Sequence, residues 1–94
     1  MIVVRNSFIA KPGHASKLAA QFKAAAAIGG MTGTRVMTDQ VGDFNTVILE
    51  YEAADLQEFE ATMRRYETDP KFRDAMKGYT DLYLTGKREI FRVV

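Results

Sequence analysis

Apolar residues recur along the chain with two periods, strict alternation in some stretches and spacings of three and four in others, and their order predicts the fold. The first stretch, Ile2 to Ala10 (IVVRNSFIA), is rich in β-branched residues and stops at Lys11-Pro12-Gly13, where Pro and Gly break a strand. From about His14 to Ile28 the period becomes helical: Leu18, Phe22 and Ala25 fall at i, i+4 and i+7, with Lys17, Gln21 and Lys23 off that line, and Gly29-Gly30 ends the helix. Thr34 to Thr38 and Phe44 to Glu52 flank a turn built on Asp39, Gly42 and Asp43, which predicts a hairpin. Asp55 and Glu58 form a capping pair ahead of Leu56, Phe59, Met63 and Tyr66 at i, i+3, i+7 and i+10, a second helix. Asp69-Pro70 restarts a short helix with Phe72, Ala75, Met76 and Tyr79 on one face. Gly78 either ends that helix or is carried through it. Thr85-Gly86-Lys87 reads as a turn into a last strand, Glu89 to Val94.

The order β-α-β-β-α-β, with one extra helical piece, predicts an α+β ferredoxin-like sandwich in which an antiparallel sheet carries its helices on one face. In the first strand Ile2, Val4 and Phe8 share a face and Val3 and Ile9 take the other. Ile48 opposes Val47, Leu49 and Tyr51 in the third strand, and Ile90 with Val94 opposes Phe91 with Val93 in the last. Neither face reads as polar. Helices cover only one, so the open face leaves large apolar side chains wet, each forgoing roughly 1.5–3 kcal/mol of burial. Such a patch marks an interaction surface, and the simplest cover is a second copy, giving a homodimer through the open sheet face. The pattern does not say which face lies under the helices.

Ninety-four residues leave room for one domain, spanning 1–94, and 47% hydrophobic with 27% charged residues is the balance of a folding chain. With 13 Lys and Arg against 12 Asp and Glu there is no net field to recruit nucleic acid or an anionic membrane. RNA-binding modules share the predicted fold, but their third strand carries Gly and basic residues between stacking aromatics; here it reads FNTVILEY, and no nucleic-acid partner is expected. No stretch reaches the roughly 18 apolar residues of a membrane span, and no leader pattern is seen. The expectation is a cytoplasmic protein with no membrane partner.

Candidate chemistry is sparse. There is no Cys and one His, which removes thiolate nucleophiles and sites built from several Cys or His ligands. His14 falls in the first turn of a helix, where the dipole disfavours its cation, and Ser7 or Ser16 could make a nucleophilic pair only with it. Asp39 and Asp43 belong to a turn that needs them for backbone hydrogen bonds, Glu58, Glu60, Asp69 and Asp74 read as solvated helix positions, and no metal is expected. Arg64-Arg65 reads as a solvated helix face, with an anion clamp as the alternative. The glycines of Gly29-Gly30-Met31-Thr32-Gly33 follow a helix instead of opening one, unlike a phosphate-binding loop. Met37, Met63, Met76, Phe22, Phe59, Phe72 and Tyr66 have core spacings, and a Met-rich wall also suits variable apolar ligands. Asn6 stands out as an amide on the Val4–Phe8 face: if buried it must be hydrogen-bonded or cost roughly 1–3 kcal/mol. Its partner is either a ligand oxygen or a neighbour, namely a backbone group, Tyr66 or Tyr83.

The strand ending in Lys11-Pro12-Gly13 ahead of Leu18 and Phe22, the Asp69-Pro70-Lys71-Phe72 restart and the closing Lys87-Arg88-Glu89-Ile90-Phe91-Arg92-Val93-Val94 resemble the dimeric α+β barrel superfamily. That superfamily includes NIPSNAP-like proteins and antibiotic-biosynthesis-type monooxygenases. The resemblance covers nearly the whole chain and implies two ferredoxin-like units pairing their sheets, with a small apolar cavity between sheet and helices in each. It implies a substrate-binding wall of Asn6, Tyr66, Phe72 and Met76. The haem-degrading branch shares Asn6, but carries Trp and a His ligand where this chain has Tyr66 and Met76, so haem is not expected, nor any other cofactor. Two functions follow from the resemblance: a dimer that binds a small aromatic or hydrophobic ligand without evident catalysis, or a cofactor-independent monooxygenase-type enzyme acting on a small aromatic or polyketide-like substrate. No catalytic residue is assigned.

Overall fold

In the computed structural model, which describes residues 1–94, the alternating first stretch forms strand β1 over Ile2–Ala10. It is followed by helix α1 (Ala15–Ile28), strands β2 (Thr32–Thr38) and β3 (Thr46–Ala53), helices α2 (Leu56–Thr68) and α3 (Pro70–Ala75), a single 3₁₀ turn at Tyr79–Asp81 and strand β4 (Tyr83–Arg92). The sheet runs β2-β3-β1-β4 with every neighbouring pair antiparallel, the α+β ferredoxin-like arrangement that the order of elements predicts. No helix is long and apolar enough to cross a membrane.

Local chemistry sets the helix starts. The Asp55 carboxylate accepts from the Glu58 N–H at 2.9 Å, and the Glu58 carboxylate reaches back to the Ala54 N–H at 2.6 Å, so two otherwise orphaned donors are satisfied. Asp69 accepts from the Lys71 N–H at 3.0 Å ahead of α3, where Pro70 occupies the first helical position at no hydrogen-bonding cost. Gly78, with φ of 81°, does not continue the helix; its left-handed backbone leads into the 3₁₀ turn.

Three expectations are corrected. Phe44 lies in the β2–β3 turn, 84% exposed, because the Asp39 carboxylate takes the Thr46 N–H at 3.0 Å and closes the hairpin before the strand resumes. Leu56 sits in the first turn of α2 and is exposed, not packed with Phe59 and Met63. The largest revision concerns Thr85-Gly86-Lys87, which is no turn: β4 begins at Tyr83 and pairs with β1 straight through it, Phe8 opposite Gly86 and Ser7 opposite Lys87. Val93 and Val94 lie beyond the strand.

The register decides which face is covered. Val4 and Asn6 pair with Tyr51 and Leu49 on β3, and all four are buried beneath the helices, with Val47 and Ala10 on the same face. Leu18, Phe22 and Ala26 of α1 fill this side against Val47 and Leu49. The opposite face carries Val3, Ile9, Ile48 and Phe91, and also Met37, which pairs with Ile48 and is not a core residue under the helices.

That open face is not uniformly apolar, contrary to the alternation reading. At its centre Glu50 is 3% exposed beneath two arginines: Arg5 Nε donates to Oε2 and Arg35 Nη2 to Oε1, both at 2.7 Å. Arg5 also lies over the Phe91 ring at 5.3 Å. The Arg35 hydrogen bond is the strongest influence holding the Glu50 carboxyl below its ordinary value; burial pushes the other way, and Arg5 adds a second lowering bond. A proton therefore binds the unfolded chain first. The stabilisation from this cluster is complete above the ordinary glutamate value, about 4.3, and is lost as pH falls through the lower folded value. Glu50→Gln is expected to cost about 1–2 kcal/mol at pH 7, discounted for the exposure of both arginines. Urea titrations across pH should show the gap between the two proteins closing below about pH 4.

Candidate functional site

Between the covered sheet face and the helices lies a cavity of about 100 Å³. Its floor is one row of residues across three strands, Leu49 on β3, Asn6 on β1 and Arg88 on β4, set side by side by the strand register. Met63 and Tyr66 of α2 and Phe72 and Met76 at α3 form its roof. Twelve of the fourteen lining residues are hydrophobic, three of them tyrosines, so the polar groups of the lining are those of Asn6 and Arg88 and the tyrosine hydroxyls.

Long-range contacts at helix ends hold the roof. Gln21 on α1 donates through Nε2 to the carbonyls of Ala75 and Lys77, at 3.1 and 2.9 Å, and so binds the end of α3 to α1. Arg65 is exposed, as expected, and also donates to the Gly29 carbonyl at 2.8 Å, which makes it a cap on α1. The Phe72 ring lies against Gly29, where a β-carbon would stand 2.5 Å from it, and meets Tyr66 edge-on at 5.3 Å.

Asn6 is 7% exposed and its partner is neither a backbone group nor Tyr66 or Tyr83: Arg88 Nε donates to Oδ1 at 2.8 Å. Since that Arg nitrogen only donates, the bond fixes the amide with its oxygen toward Arg88 and its NH₂ away. The Arg88 guanidinium also lies over the Phe59 ring at 5.3 Å. Arg88 is the site residue that sequence reading missed, because a mistaken turn at Thr85-Gly86-Lys87 detached it from the strand. Counting back by two from Ile90 places it on the cavity face.

Two tyrosines add to the site. The Tyr51 hydroxyl is buried without a hydrogen-bond partner, and burial raises its pKa against the pull of the Arg88 and Arg65 charges. Burial also raises that of Tyr79, which lines the same space. Both are neutral phenols at pH 7. Of the residues expected to form a binding wall, Asn6, Tyr66, Phe72 and Met76 all border this one cavity.

No protein-family model and no curated protein matches the sequence. Solved structures do match in shape. An uncharacterised NIPSNAP domain protein from Burkholderia xenovorans superposes with a TM-score of 0.86 at 14% identity, over 100% of this chain and 95% of the other. A NIPSNAP family protein from Agrobacterium tumefaciens gives 0.83 at 14% identity, over 99% and 92%. A candidate antibiotic biosynthesis monooxygenase from Chloroflexus aurantiacus gives 0.79 at 17% identity, again over 99% and 92%. The chain has the NIPSNAP-like fold. At these identities the likeness is one of architecture, and the resemblance read from the closing strand and the Asp69-Pro70 restart is borne out at that level.

Within this NIPSNAP-like fold the remaining polar candidates lie elsewhere. His14 is exposed at the start of α1 with no side-chain capping bond, Ser16 is exposed on α1, and Ser7 pairs with Ile48 on the open sheet face. Asp39 closes the hairpin, and Glu58 and Asp69 are helix caps.

The shape of the cavity depends on Phe8, whose ring lies 5.1 Å from Phe22 and 4.8 Å from Tyr83. It fits there because the facing β4 residue is Gly86; a β-carbon would stand 2.6 Å from the ring. Gly86→Ala is expected to push Phe8 toward the cavity and destabilise the fold by about 1–3 kcal/mol, read as a lowered urea midpoint. The Phe8→Leu, Gly86→Ala double variant should recover part of that loss.

Proposed function

We propose that the protein is a homodimeric α+β barrel, each copy contributing residues 1–94 as one unit, whose cavities each bind a small aromatic or hydrophobic ligand. The single observation that carries the binding role is the partly open apolar space at the sheet–helix interface, with the Asn6–Arg88 pair in its floor. An apolar volume with a few placed polar groups is the usual form of a small-molecule site. At about 100 Å³ this cavity is smaller than the roughly 150 Å³ apolar cavity that accepts benzene, so a single ring enters if the roof yields. Met63 and Met76 in the roof are flexible enough to yield further.

The open sheet face supports the dimer. Val3, Ile9, Ile48 and Met37 are only half-buried and Phe91 is 43% exposed, so large apolar side chains lie on that face beside the Arg5–Glu50–Arg35 cluster and the Lys87–Glu89 pair. A second sheet packed on it removes that surface from water, and the two-fold arrangement is the common solution.

A second reading, a cofactor-independent monooxygenase acting on a small aromatic or polyketide-like substrate, is favoured by the architectural likeness to the Chloroflexus protein and by the neutral phenols of Tyr51 and Tyr79 at the cavity. Binding is the better-supported reading because no carboxylate or imidazole lines the space, and activating a phenol for oxygen needs a base within reach.

Native mass spectrometry of protein purified without added ligand tests both parts. The expected species is twice the chain mass carrying a small aromatic or apolar molecule, and Ile48→Glu should shift it to the monomer. A monomer in the unaltered protein at micromolar concentration, confirmed by sedimentation, overturns the dimer. Failure of an aromatic panel to bind overturns the cavity reading.

A further inference from the structure

The polar floor of the cavity is made almost wholly of hydrogen-bond donors. Arg88, which is exposed to solvent at one edge of the cavity lining, spends Nε on Asn6; no acceptor within the chain takes its two Nη groups, and none of the ion pairs of the protein includes it. The same bond turns the Asn6 oxygen toward Arg88, and the amide NH₂ donates to no group of the chain. Tyr51, 2% exposed and bordering the same space, has a hydroxyl with no partner at all. A buried hydroxyl without a partner forfeits roughly 1–3 kcal/mol unless something else bonds it. No Asp or Glu lines the cavity to balance the guanidinium charge.

The contrast with the open face of the sheet shows what is missing. There, two arginines share one carboxylate, and Glu50 accepts from both. On the covered face an arginine of the same sheet is steadied by an amide oxygen and an aromatic ring, which orient a guanidinium without neutralising it. A neutral apolar molecule in this cavity satisfies none of these donors. An apolar body ending in a group with several acceptor oxygens and negative charge satisfies them together.

We propose that the ligand of this cavity is a small organic carboxylate, its apolar part among Phe72, Met63 and Met76 and its carboxylate held by Arg88, the Asn6 amide and the Tyr51 hydroxyl. The proposal rests on the reading of the cavity as a ligand site and names the class of ligand. Arg88 sets specificity through charge. Asn6 positions Arg88 and adds a donor of its own.

Benzoate and benzamide, nearly equal in shape and differing in charge, separate the two claims. Titrated into the unaltered protein at pH 7 by calorimetry, with the Asn6 side-chain amide and Arg88 Nε–H followed by ¹H–¹⁵N NMR, benzoate is expected to bind at least about tenfold more tightly than benzamide. Arg88→Gln should abolish that advantage, bringing benzoate and benzamide within about twofold of each other. Equal binding of the two by the unaltered protein, or undiminished benzoate binding by Arg88→Gln, overturns the carboxylate assignment and leaves the cavity reading standing. Binding of neither overturns both. If Arg88→Gln does not fold, the comparison in the unaltered protein decides.

Discussion

A buried amide in the middle of a hydrophobic strand face must find a partner, and the rest of the site follows from how Asn6 finds one. β1 is an inner strand, paired on both edges, so its backbone groups are committed to the sheet and cannot serve the side chain. Above it the helices present mainly apolar groups. Help comes from the neighbouring strand, where the register places Arg88 directly beside Asn6. Satisfying the amide in this way draws the base of a charged side chain toward an otherwise apolar region, and the Phe59 ring keeps it there. A leucine in place of Asn6 would pack against the helices more cheaply, with no reason to hold an arginine at that point.

The space above this pair persists because the roof is held from its edges. α3 is a six-residue helix, too short to be stable by itself, yet its aromatic and methionine side chains define the upper wall. Its start is fixed by Asp69 and Pro70 and its end by Gln21 reaching across from α1. Two glycines complete the arrangement by what they lack: Gly29 admits the Phe72 ring and Gly86 the Phe8 ring. The large rings are thereby seated against backbone, which leaves the volume between them open instead of filled.

Much of this was legible in the sequence wherever the signal was local. Strand β1 ends where Pro12 and Gly13 require it, and both caps, at Asp55 and Asp69, form as their spacing predicts. The amphipathic spacing also brought Tyr66, Phe72 and Met76 to one cavity with Asn6. What sequence did not reveal lay in contacts between distant segments. Gly86 resembles a turn residue among Thr85 and Lys87, but its role is set by Phe8, on another strand. Arg88 was overlooked with it, left outside the predicted strand, and Glu50 because a charge in a strand reads as solvent-facing until the register names its neighbours. Arg65 was half legible, basic and on α2, but its carbonyl partner at Gly29 belongs to another helix.

The two faces of the sheet handle charge in opposite ways, and this difference gives the architecture its direction. On the open face Glu50 draws two guanidinium groups into a compact cluster, and Ser7, Lys87 and Glu89 share that face with the apolar Val3, Ile9, Ile48 and Phe91. Such a surface matches a partner of similar design, whose charges need not find new counterions on association. On the covered face the exposed Arg88 guanidinium is oriented by Asn6 and Phe59 with no carboxylate paired to it. A protein whose sole requirement was a stable core would gain by replacing the Asn6–Arg88 pair with aliphatic side chains. Keeping it costs packing, and what the pair supplies in return is a set of donors beside a partly open apolar space. On the proposed reading, that set would discriminate between ligands through the number of acceptors they bring, a selectivity that shape alone cannot provide in so small a volume.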